Sequence, residues 1–404
     1  MSDLRPKTYF YLSSFVSTIL LIPIFVNSNI GSDWDSYALI GTYKNYLISG
    51  IYFPSRPPGF PLYEFLIGSL IKYSEYLAIT AEQTLIIFQF FLLISLNYLI
   101  YKFFNKAKTF NYLIYLIIVC SPVYLISGFS VIDYVLGSLF GFSSIYYLLY
   151  KKSINPLIIS LLLTGAITTR LSNLIFLFVI VLYLFLNDKD KKLAIVITFT
   201  TVLFSSLIYF IFYENLFSFY KSTGVYDNWS DLLCIFNLTN TDHTLVGRIG
   251  RFVLKQIPYL GTLGALVLAA NITKFKIDLK NKNLYLFLVF LLFELSFLRL
   301  PTEEGHLLPA FIAFMMLLST DKKNILTVIF ITVLLSNFVD LKFYSVDEVD
   351  SASTIDITFD IADGFLIEDF KERNQKGEEK EFHYNNSQIT LNTAWLSGCP
   401  NNER

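Results

Sequence analysis

Residues 31–37, GSDWDSY, put two carboxylates, Asp33 and Asp35, directly after the apolar run 8–28. A carboxylate beside a partly apolar wall has its pKa raised and can take the proton of a hydroxyl, which is the work of a general base. Further along, SRPPGFP (55–61) carries Arg56 through a stretch that cannot be helical, because each proline disfavours helix in the residue before it. A guanidinium binds phosphate oxygens in pairs, so Arg56 suits an anionic leaving group. Each residue also has a plainer reading. An aspartate at a helix end is often a solvated cap, and Arg56 can pair with Glu64. Two carboxylates followed by an Arg-Pro-Pro-Gly turn tip the balance towards chemistry.

The elements that must hold these residues are helices in a membrane. Of the 404 residues, 54% are apolar and 16% charged, and the mean hydropathy is +0.55; soluble domains carry about 25% charged residues. Long apolar runs recur along the whole chain, so an all-α polytopic membrane protein is expected. The charge is uneven. Residues 341–404 hold 13 of the 32 acidic and 6 of the 31 basic residues, which makes this tail −7 and the remainder +6. Nothing in that balance points to nucleic acid. The three cysteines, Cys120, Cys234 and Cys399, form no disulfide framework and no zinc spacing.

Spans are expected near 8–28, 82–102, 109–127, 131–150, 154–169, 171–187, 193–213, 252–271, 284–299, 306–320 and 325–340, eleven in all. The first follows Arg5 and Lys7 and reads as a retained signal anchor. With the N-terminus cytoplasmic, the inner connections are KFFNKAK, KK, DKDKK, KFKIDLKNK and DKK, and each carries at least two lysines. The outer pieces are then 29–81, the turn 128–133, the loop 214–251, the turn 299–305 and the acidic tail 341–404. Residues 60–72 would be a poor twelfth span, since that span would move the lysine-rich loops outside and strand Glu64 in lipid; a helix along the interface fits better. Residues 36–49 put Tyr37, Ile40, Tyr43 and Leu47 on one helical face, a second interfacial helix that Gly50 can end.

This outer loop, an acidic motif, a surface helix, a basic residue before a proline pair and a second surface helix, resembles the GT-C class of integral-membrane glycosyltransferases. The likeness is to the branch with protein O-mannosyltransferases and the lipid A aminoarabinose transferase. Asp35 stands fifteen positions before Gly50, and Arg56-Pro57-Pro58-Gly59 follows. FSVIDYVLG (129–137) resembles that family's second acidic site and singles out Asp133. ITTRLSN (167–173) resembles its basic position at the outer end of a short span and singles out Arg170. EEGHLLPAF (303–311) resembles its entry into a late span. The likeness covers about residues 1–320 and rests on the ordered set rather than on any one motif. Here Trp34 separates two acidic residues that the family often has adjacent.

The resemblance implies transfer of a sugar from a polyprenyl-phosphate donor to a lipid, glycan or protein acceptor at the extracytoplasmic face of the plasma membrane. Asp35 is the first choice as base, for its spacing to Gly50, and Asp33 the second. Arg56, Arg170 and Arg299 can meet the phosphate, and Asp133, Glu303 and His306 complete the candidate binding set. Asp133 can equally cap its helix, Arg299 can snorkel, and His306 can be a satisfied polar residue. A divalent cation can fit Asp33, Asp35 and Asp133, though their spacing does not require one and the family has members with and without metal. Two other readings stand beside this one: an O-antigen or exopolysaccharide polymerase, and a non-enzymatic transporter or flippase of a lipid-linked substrate. The division expected is a transmembrane unit over 1–340 and a small, partly strand-forming appendage over 341–404 in which no chemistry is legible. Sequons at Asn228, Asn237 and Asn385 and a Cys234–Cys399 pairing would fall on the outer side.

Overall fold

The first apolar run is a helix, α1 (Pro6–Asn27), and the way it stops places the acidic motif. Ser28 takes a left-handed φ of 55°. Its N–H reaches the Phe25 carbonyl while the Asn29 N–H reaches that of Ile24, a paired closure that satisfies two of the carbonyls left free at a helix end. The computed structural model describes residues 6–50, 55, 59–106, 111–151, 153–186, 191–212, 245–277, 283–299, 304–320, 322–349 and 352–380. Arg56, Glu303, the sequons and the Cys234–Cys399 pair lie outside the described residues, as does the side chain of Arg299.

After α1 come α2 (Trp34–Ser49), α3 (Pro61–Ser74), α4 (Ala81–Lys106), α5 (Tyr112–Val119), α6 (Pro122–Phe129), α7 (Tyr134–Tyr150), α8 (Pro156–Thr169), α9 (Leu174–Leu186) and α10 (Lys191–Phe212). The second half holds α11 (Leu245–Leu254), α12 (Gly261–Asn271), α13 (Leu284–Arg299), α14 (Leu308–Leu317) and α15 (Lys323–Ser336). Sequence chemistry marks several starts. Proline stands in the first turn of α3, α6, α8 and α14, where its missing N–H leaves nothing unpaired. The side chains of Asn111 and Asn155 accept N–H groups at the starts of α5 and α8.

Each of the eleven apolar segments is helical over most of its described length, but their lengths differ. Among the described residues, three helices, Lys7–Asn27, Ala81–Lys106 and Lys191–Ile211, are long and apolar enough to cross a bilayer, and five if each of two bent pairs is one crossing. The remainder run 10–17 residues, short of the roughly 20 that a straight crossing takes. The bends have local causes. Pro122 cannot continue α5, so α5 and α6 meet at 50° around an extended Ser121. The expected span 252–271 is not one straight helix: its halves meet at 98°, where Pro258 sits in a short 3-10 turn and Gly261 takes a φ of 71°.

The first outer loop also differs in detail from expectation. α2 is not divided lengthwise into an apolar and a polar face. Its first turns, from Ser36 to Thr42, are buried all round, whereas Tyr46, Leu47 and Ile48 at its far end are exposed, Ile48 by 86%. The N-terminal half thus packs inside the protein against α3, with Tyr43 on Gly68, and the apolar tip protrudes.

The tail has regular structure over residues 341–349 and 352–380. β3 (Val339–Val349) and β4 (Ala352–Asp363) pair antiparallel from Val339↔Asp363 to Val349↔Ala352, with a register shift between Lys342 and Tyr344; a second small ladder joins β1 (Lys276–Ile277) to β2 (Leu318–Ser319). Buried Asp340 anchors the hairpin's root by accepting the Thr262 N–H at 3.1 Å and its hydroxyl at 2.7 Å. A further helix, α16 (Phe365–Glu378), folds back onto α6.

Candidate functional site

Asp133 and Arg170 are brought together by two helix ends. Asp133 precedes α7 and makes no side-chain cap there; its carboxylate turns to Arg170 instead, which settles the cap reading against it. Arg170 ends α8 in extended backbone, its N–H on the Ala166 carbonyl, and a 3-10 turn at Leu171–Asn173 leads into α9. Arg170 Nη1 donates to both Asp133 oxygens, at 3.1 and 2.9 Å. Both residues are buried, Arg170 to 7% exposure and Asp133 to 1%. In such surroundings an ion pair is costly to assemble and more costly to break on one side only.

Arg170 has a second polar neighbour. Its Nη2 lies 3.0 Å from Nδ1 and 2.5 Å from Nε2 of His306. A guanidinium only donates, so the imidazole accepts and is neutral in this arrangement. His306 comes from the short 3-10 turn Glu304–Leu307 ahead of α14. Its ring also meets Tyr134 at 5.5 Å and Phe297 at 6.4 Å between centroids. Tyr134 carries the guanidinium on its face at 4.4 Å, with Phe60 farther off at 5.6 Å, a cation–π arrangement that offsets part of the lost hydration. Tyr134 and Phe60 escaped the sequence reading, although Tyr134 directly follows Asp133.

Phe60 leads from this cluster to the proline loop. Glu64, buried in α3, accepts the Ser55 N–H at 2.7 Å, the Ser55 hydroxyl at 2.5 Å and the Phe60 N–H at 3.2 Å. Its carboxylate therefore clasps both ends of the segment that carries Arg56. Burial pushes Glu64 up to about 8; the two N–H groups pull it down, and the charge of Asp133 pushes it up.

Asp33 and Asp35 lie on the neighbouring segment. Asp33 caps α2, its Oδ1 accepting the Asp35 N–H at 3.1 Å; both residues are half-buried. This segment is joined to the Asp133 segment through the backbone, the Val131 N–H donating to the Ile30 carbonyl at 2.7 Å. Asp33, Asp35, Asp133, Arg170 and His306 therefore gather at one end of the helix assembly, on four separate stretches of chain.

As a cation site, the cluster fits poorly. Asp133 is already neutralised by Arg170, and among the described residues no group of three His, Cys, Asp or Glu could hold a metal ion.

Another buried carboxylate lies elsewhere. Glu294 of α13 accepts the Tyr259 hydroxyl at 2.6 Å and a Gln256 N–H at 2.8 Å. It faces a largely apolar cavity of about 700 Å³ beside the bent α11–α12 pair, walled also by Phe252, Phe290 and Phe314. The Tyr259 hydroxyl reaches the Leu307 carbonyl at 3.5 Å, one residue from His306. The signal that sequence reading passed over is a lone carboxylate inside an apolar run. No known family model matches the chain, and a search of curated proteins finds none similar to it.

Proposed function

We propose that this chain is a multi-pass membrane glycosyltransferase of the GT-C kind, moving a sugar from a polyprenyl-phosphate donor to an acceptor hydroxyl at the extracytoplasmic face. In this reading the eleven apolar segments all cross or enter the bilayer, with the lysine-bearing connections cytoplasmic. The observation that carries it is the Asp133–Arg170–His306 cluster at the same end of the assembly as Asp33 and Asp35. Four of those five positions, and the turn that presents the fifth, come from motifs in the family's order.

The chemistry follows from the residue types. Asp35, with Asp33 as second candidate, accepts the proton of the acceptor hydroxyl. The acceptor oxygen forms its bond to the anomeric carbon as the bond from that carbon to the phosphate oxygen breaks, and the phosphate keeps the electron pair. Its new charge needs cations in a poorly hydrated site. Arg170 has its charge balanced by Asp133, so most of that demand falls on Arg56 and Arg299, while Arg170 orders Asp133 and His306. No step is routed through a metal. A transfer assay with purified protein and a panel of polyprenyl-phosphate sugars tests the reading: transfer of one sugar supports it, and none across the panel counts against it.

A second reading, a transporter or flippase, is favoured by one observation. The sharply bent α11–α12 pair, the cavity and Glu294 are the kind of broken helix and buried charge that transporters place in the membrane interior. Flux lost in Glu294→Gln and retained in Asp35→Asn would support that reading.

A further inference from the structure

We propose that α16, in the tail, is a positioning element of the candidate site, and that its Asp369–Arg373 pair sets the relation between the Asp33/Asp35 segment and the Asp133 segment. Arg373 is wholly buried, at 0% exposure. Its Nε donates to Asp369 one helical turn earlier at 2.6 Å, its Nη1 to the Phe129 carbonyl at 3.2 Å and its Nη2 to the Ser130 hydroxyl at 2.8 Å. Asp369 in turn accepts the Ser32 hydroxyl at 2.5 Å. Two further contacts hold the same stretch: Asn29 donates to Asn374 at 2.6 Å, and the Lys376 ammonium donates to the Ser32 carbonyl.

Ser32 immediately precedes Asp33, and Ser130 stands three residues before Asp133. Between them runs the Val131–Ile30 backbone bond. One buried ion pair thus grips both strands of chain at the point where they join. Apolar side chains would bury the same face of α16 without the cost of desolvating two charges. What the pair adds is direction: bonds of fixed geometry to two segments whose next residues are the candidate carboxylates. On its other side α16 is tied to the hairpin by Lys342–Glu368 and Lys371–Asp363, so the hairpin acts as its mount.

The kinetic arm of the test rests on the transferase reading; a labelling arm does not. In full-length protein with Cys234 and Cys399 replaced by serine, Asp35→Cys is alkylated by a charged, water-soluble maleimide, with and without Arg373→Met. The folded Arg373→Met variant should label several-fold faster, because its first loop opens more often. In the transfer assay, Arg373→Met should lower kcat by about 100-fold, as misplacement of a reacting group by an ångström does, with the donor KM unchanged. Bridging Asn29→Cys to Asn374→Cys with a short bifunctional thiol reagent should restore that kcat, which it would not do for a chain that had merely lost its fold. Unchanged labelling, or unchanged kcat in a folded Arg373→Met chain, overturns the proposal. If the parent protein transfers no sugar, the transferase reading fails and the labelling rates alone decide whether α16 holds the loop.

Discussion

Arg170 Nη1 holds both carboxylate oxygens of Asp133, at 3.1 and 2.9 Å, across 37 residues of chain and between the ends of two apolar helices. Its other terminal nitrogen holds His306, 136 residues further on. Three motifs far apart in sequence thus become one polar unit walled by Tyr134 and Phe60.

The unit should behave as a pair in stability measurements. Asp133→Asn or Arg170→Gln alone leaves an uncompensated buried charge and should cost about 3–5 kcal/mol. The double variant should be less destabilised than the sum of the two. Denaturation of the four proteins in one detergent checks this; additive losses would mean that the two charges do not sense each other.

Gly305 should not tolerate a side chain. A Cβ there would sit 2.2 Å from the Tyr134 ring, the ring that carries Arg170. Gly305→Ala should therefore cost about 1–3 kcal/mol, as overpacking does, and weaken activity by moving His306 beside it. A thermal shift on the variant, read with its transfer rate, tests both parts.

Glu64 predicts a pH dependence of known sign. Its ordinary value is 4.5 and in the folded chain it lies near 8, so the folded state holds a proton that the unfolded state has released. Its contribution to stability is fully present below about 4.5 and is lost as the pH rises through about 8. Denaturation midpoints from pH 5 to 9 should fall across this window, and Glu64→Gln should flatten the fall.

Much of this site is legible in the sequence, because it is built on chain-local signals. The Ser-Asp-Trp-Asp start of α2, Asp133 before an apolar helix and Arg170 between two apolar runs announce themselves as charges where charges are costly. Gly50 does end α2, with its N–H on the Tyr46 carbonyl at 2.8 Å. What sequence cannot supply is which distant partner satisfies each charge. Arg373 looks like one of many charges in KERNQKGEEKE, and only the return of α16 onto α6 makes it a buried contact of Ser130. The same holds for the 98° bend: Pro258 and Gly261 are visible in sequence, but the packing of Gly261 against Ser336 that goes with the turn is not. The graded burial of α2 escaped for the opposite reason, since a periodic pattern of Tyr, Ile and Leu is satisfied equally by a bilayer surface and by α3.

Asp35→Asn bears most directly on the central claim. The change keeps the size and polarity of the side chain and removes its capacity to hold a proton from the acceptor. Purified in the same detergent as the parent, with matching thermal midpoint, the variant should lose sugar transfer by at least about 100-fold, at the lower end of what general-base catalysis contributes. Donor binding should persist. Near-parental transfer by a folded Asp35→Asn protein, in an assay where the parent is active, would contradict the assignment of Asp35 as the base.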